Sequence, residues 1–126
     1  MKSKLILTSS AILLALTGLT ATFFPQELLT WFQIPANGHL SVLIQVLGAL
    51  YLGFAILNWS AKGSTVGGIY NRPLTLGNGL HFFAAGMAML KGAISHQPEF
   101  WIPSILSLLF AALFFWIMFT HPLTEK

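Results

Sequence analysis

The chain has 126 residues, 56% of them hydrophobic and only 7% charged, with a formal net charge of +3 and no cysteine. A soluble domain carries about a quarter charged residues, so this composition excludes a soluble fold and points to one membrane domain over residues 1–126. The absence of cysteine excludes thiolate nucleophiles, disulfide exchange and cysteine-ligated metals, and the scattered basic residues offer no cluster to follow a nucleic-acid backbone.

Four apolar runs, approximately 5–24, 40–60, 74–95 and 101–120, predict helices of about 20 residues, each long enough to cross a bilayer. The expected fold is all-α, an integral membrane four-helix bundle. Lys91 is the only charged residue inside any run. The first run follows Met1-Lys2-Ser3-Lys4, a start shared with signal peptides. It is longer than a typical signal core, and Leu19-Thr20-Ala21 is a poor cleavage site, so a retained helix is expected. Thr8, Ala11, Ala15, Gly18 and Thr22 form a small-residue stripe along it, the kind of face that lets helices approach closely in lipid.

Pro25 suits the first turn of a helix. Leu28, Leu29, Trp31 and Phe32 then make an apolar surface beside Gln26, Glu27 and Gln33. The spacing predicts a short interfacial helix between the first two spans, ended by Pro35-Ala36-Asn37-Gly38. The second span offers Gln45, Gly48, Ala49 and Leu52 as its contact face. Ala61–Pro73 is rich in turn formers and includes Gly67-Gly68. The third span places Gly77, Asn78, His81, Ala84, Ala85, Ala88 and Gly92 in one band at 100° per residue. The fourth has Ser104, Ser107 and Ala111 on one face. Its end carries Phe110, Phe114, Phe115, Trp116 and Phe119, which suit lipid and the interfacial aromatic belt or a partner helix or lipid-like ligand lying against the rings.

Lys2, Lys4, Lys62, Arg72 and Lys126 flank the spans on one side, whereas the opposite connections hold Glu27 and Glu99. The positive-inside rule therefore puts both termini and the Ala61–Pro73 connection in the cytoplasm. The location this implies is a bacterial inner membrane, crossed several times. Trp31, Trp59, Tyr70 and Arg72 fall at its interfaces, and Lys91 snorkels to the outer surface.

Polar side chains inside a bilayer are costly and mark candidate sites. At 1.5 Å per residue from Pro73, His81 lies about 12 Å into the membrane, with Asn78 shallower on the same side. Asn58 reaches a similar depth and Tyr51 lies nearer the midplane. Tyr51, Asn58, Asn78 and His81 are thus expected to form a polar layer in the cytoplasmic half, as a ligand pocket or as hydrogen bonds that fix helix register. Gln45 and Lys91, with Glu27 nearby, are the candidates for an outer layer. No acidic residue lies in any span, which argues against proton-coupled export through an embedded carboxylate. Neither H-E-x-x-H nor G-x-S-x-G occurs, and no catalytic or metal-binding residue is assigned.

Phe24-Pro25-Gln26-Glu27-Leu28-Leu29, followed by Gln45-Val46-Leu47-Gly48-Ala49-Leu50-Tyr51-Leu52-Gly53, resembles the small bacterial four-helix membrane proteins of the DoxX-like group and related families of unknown function. The resemblance covers most of the chain. It implies a four-helix inner-membrane bundle, in some relatives associated with oxidoreductase complexes, and it assigns no catalytic residue. Three functions are therefore expected in turn. The first is a non-enzymatic accessory or small-molecule- or lipid-binding subunit, with membrane lipid, a second copy or another membrane protein as partner. The second is an oxidoreductase component that contacts quinone or haem near His81. The third is an oligomeric small-solute transporter or channel.

Overall fold

The computed structural model describes residues 2–35 and 37–122, and these are almost wholly helical. The elements are α1 (Lys2–Phe23), α2 (Pro25–Trp31), α3 (Gly38–Ala61), α4 (Arg72–Ile94), a 3₁₀ turn (Pro98–Phe100) and α5 (Trp101–Met118). Among the described residues three helical stretches are long and apolar enough to cross a membrane: Ser3–Phe23, Gly38–Ala61 and Pro98–Met118. Helix α4, with 23 residues, has the length but is not among them. Arg72, Thr75, Asn78, His81 and Lys91 dilute its apolar character. Of the four spans expected, three are thus met by helices of sufficient length and apolar character, and α4 matches the fourth in length.

The helix boundaries follow local chemistry. α1 stops at Phe24 because the residue before a proline is pushed out of the helical region, and Pro25 opens α2 in its first turn. The short helix expected after the first span is thus present, with seven residues. It ends earlier than expected, in a paired-bond helix stop. Ile34 N–H donates to Leu29 O at 2.8 Å and Gln33 N–H to Thr30 O at 3.0 Å, with Gln33 left-handed at φ 59°. The Pro35–Gly38 tract instead starts α3, since the Asn37 side chain accepts from His39 N–H at 2.8 Å and Leu40 N–H at 3.4 Å. Ala36 of that tract lies outside the described residues, as does Lys126.

The chain divides into two compact units, one Leu7–Lys62 and the other Met1–Ile6 with Gly63–Lys126. In the first, α1 and α3 cross backbone on backbone. A Cβ on Gly48 would lie 2.8 Å from Thr22 N and 2.9 Å from Gly18 O, and one on Gly18 would lie 3.0 Å from Gly48 O. Lipid offers no hydrophobic drive for helices to associate, so such close approach supplies the attraction. Ala11, Leu14, Gly18 and Ala21 continue the buried stripe of α1, and Gly48, Ala55 and Asn58 that of α3. Ala49, expected on the contact face, is exposed.

In the second unit α4 packs along α5. The Phe115 ring covers Gly79, Leu108 covers Gly86, and Phe82 stacks on Phe110 and Phe114 at centroid distances of 5.2 and 5.9 Å. Ser104, Ser107 and Ala111 are buried as expected. The buried face of α4 is Leu74, Thr75, Asn78, Gly79, Phe82, Gly86 and Ala93, while Ala84 and Ala88 are exposed. The predicted band is rotated because the large α5 side chains need the seven-residue glycine spacing 79–86. Phe110 and Phe114, expected to face lipid, are buried because they stack on Phe82, whereas Trp116 and Phe119 remain exposed.

Candidate functional site

Helix α3 carries Tyr51 and Asn58 two turns apart. Asn58 is fully buried. Its Nδ2 donates to Ser10 Oγ at 3.0 Å, and the Ser10 hydroxyl donates in turn to Leu7 O at 3.0 Å. A carboxamide in an apolar setting needs such a partner; here it bridges α3 to α1. Tyr51 is half-buried. Ser10 is a site residue that sequence spacing did not single out. Its only advance signal is that it lies at i+3 from Leu7, where a helical serine reaches a carbonyl of the preceding turn.

Helix α4 carries Asn78 and His81 one turn apart. Asn78 is fully buried, and its Nδ2 donates to Leu74 O at 3.0 Å. His81 is half-buried, with its ring edge-on to Phe82 at 5.0 Å and 69°. Phe82 in turn begins the aromatic stack with α5. Tyr51 and Asn58 thus belong to one unit, and Asn78 and His81 to the other.

The outer candidates Gln45 and Lys91 likewise belong to different units. Gln45 is exposed, and its Nε2 donates to Thr22 O at 3.3 Å, a second tie between α3 and α1. Beside it the Thr22 hydroxyl oxygen is buried over Gly48 without a hydrogen-bond partner. Lys91 is exposed in the last turn of α4. In the second unit, Ser104 Oγ donates to Gly86 O at 2.9 Å, tying α5 to α4.

The interfacial candidates are all exposed. Trp31 is 73% accessible, the extreme among the four tryptophans. Lys62 Nζ sits 3.1 Å above the Trp59 ring centroid. Tyr70 meets His121 edge-on at 6.2 Å, and Arg72 begins α4. A shallow groove is lined by Leu16, Thr17, Thr20 and Leu28. It offers little polarity, because the Thr17 and Thr20 hydroxyls donate back to Leu13 O and Leu16 O. Among the described residues no three His, Asp or Glu side chains gather as a metal site.

The Ser10–Asn58 bridge gives a quantitative expectation. A double-mutant cycle with Ser10→Ala and Asn58→Ala, read by unfolding in mixed detergent, should return a coupling of about 0.6–1.7 kcal/mol, the range for hydrogen bonds between membrane helices. Additive single effects would mean that the bond contributes nothing to stability.

No family model, curated protein or solved structure matches the chain.

Proposed function

We propose that the chain is a multi-pass protein of the bacterial inner membrane that acts without catalysis, as an accessory or small-molecule- or lipid-binding subunit of a membrane complex. One observation carries this reading. Four polar side chains within the helices are engaged with helix backbone or with one another: Asn58 with Ser10, Gln45 with Thr22 O, Asn78 with Leu74 O and Ser104 with Gly86 O. Such bonds fix helix register; they do not leave a cluster of reactive groups poised for a substrate.

In this proposal α4 is a fourth crossing and the protein is a four-helix bundle with both termini in the cytoplasm. Its 23 residues span about 35 Å at 1.5 Å per residue, its polar ends lie at Arg72 and Lys91, and α5 covers one flank. The asymmetric basic residues support the orientation. The resemblance to the DoxX-like group supports the same architecture.

A second reading, an oxidoreductase component holding quinone or haem, draws on His81, whose half-buried imidazole is the kind of group that ligates haem iron. One experiment separates the two. Native mass spectrometry of the chain released from its membrane in mild detergent should give an oligomer, or the chain with a stoichiometric partner or lipid, in a sample without a Soret band. A bare monomer contradicts the subunit reading, and a Soret band lost in His81→Ala supports the haem reading.

A further inference from the structure

The connection between α3 and α4 is more constructed than a tether requires. Gly67 N–H donates to Tyr70 O at 3.0 Å and Tyr70 N–H to Gly67 O at 2.9 Å, closing a tight turn. Gly68 N–H donates to Ile117 O at 3.4 Å, which fastens the turn to the end of α5. Asn71 is left-handed at φ 54°, and its Nδ2 donates to Thr65 O at 2.8 Å, closing the base of the loop. This scaffold presents Ile69 at 74% exposure and Tyr70 at 45%, with Arg72 exposed immediately after them. Val66, by contrast, is turned inward at 1%. Residues 63–72 contain Arg72 and no acidic side chain.

A large aliphatic side chain held outward at a turn, with an aromatic beside it and a cation next, is costly in water. It suits the headgroup layer, where apolar groups reach the acyl boundary and aromatic rings sit at headgroup level. The positive charge of this loop selects the sign of the partner. We infer that this turn is a docking surface for anionic lipid of the membrane the chain occupies, with Ile69 and Tyr70 seated among the headgroups and Arg72 holding a lipid phosphate. The inference rests on the membrane reading above but not on the subunit role.

The test uses the full chain reconstituted in equal parts phosphatidylcholine and phosphatidylglycerol at low ionic strength. Native mass spectrometry should find phosphatidylglycerol retained in preference to phosphatidylcholine. Arg72→Gln should lower that preference about fivefold, the effect of one basic residue at an anionic surface, and Arg72→Lys should keep it. Because the chain has no cysteine, an environment-sensitive dye on Ile69→Cys reports depth without background. Its emission should be blue-shifted relative to the same dye on Ser64→Cys. Equal retention of the two lipids, equal losses in Arg72→Gln and Arg72→Lys, or equal emission at the two positions would overturn the inference. None of those outcomes changes the oligomer mass that tests the subunit role.

Discussion

Replacing Gly48 by leucine should abolish the α1–α3 pairing. A Cβ at this position would lie 2.5 Å from Thr22 Oγ1, 2.8 Å from Thr22 N and 2.9 Å from Gly18 O. Two of these are backbone atoms of a continuous helix and have no rotamer in which to retreat. Gly48→Ala should already cost about 1–3 kcal/mol, the usual range for overpacking, and the leucine variant more than that. The loss would include the Gln45 to Thr22 O and Asn58 to Ser10 bonds, which need the same separation. At Gly53, on the same helix, an added Cβ would meet nothing within 4 Å. Gly53→Ala should therefore be neutral or stabilising by about 0.5–1 kcal/mol, the helical preference for alanine over glycine. Thermal unfolding in detergent with a tertiary probe distinguishes the two; equal melting shifts at positions 48 and 53 would contradict the crossing.

Gly67→Ala is the second substitution expected to be severe. Gly67 has φ 137°, a conformation that residues with a Cβ rarely adopt, and its Cβ would lie 2.8 Å from Thr120 O. Backbone strain contributes about 1–3 kcal/mol, and displacement of the α5 end adds to it. Gly68 is also left-handed, at φ 57°, but the nearest atom to its Cβ is 3.8 Å away. Gly68→Ala should cost only the intrinsic left-handed penalty of about 1–2 kcal/mol. Hydrogen exchange at the last turn of α5 provides the readout. Gly67→Ala should raise exchange there well above Gly68→Ala, and unchanged protection would mean that the turn does not hold α5.

What the amino-acid order revealed, and what it hid, follows from the solvent. Apolar runs of spanning length are readable because a bilayer demands them, and Pro25 is readable because it can only begin a helix. Gly18, Gly48, Ser104, Ser107 and Ala111 are readable because small residues are where membrane helices meet. Phe110 and Phe114 are not, since a phenylalanine is equally content against lipid or protein and hydrophobicity no longer marks the inside. The α4 face is hidden for a related reason. Gly77 and Gly79 are equally small, and only the α5 ring of Phe115 selects Gly79. Asn37 sits in a tract that ends one helix and starts another, and its cap geometry decides in favour of the start. The polar residues of the candidate site are conspicuous by type. Their partners depend on helix register in three dimensions, so Ser10 could not be matched to Asn58 across 48 positions.

The proposed fold has four crossings, with the less apolar α4 among them. Single cysteines test it directly, because the chain has none of its own. Gln33→Cys, Ser64→Cys and Gln97→Cys each change an exposed residue in a connection. In right-side-out membrane vesicles, a membrane-impermeant maleimide should label positions 33 and 97 from outside and position 64 only after permeabilisation. Labelling of 64 and 97 from the same side would show that α4 does not cross.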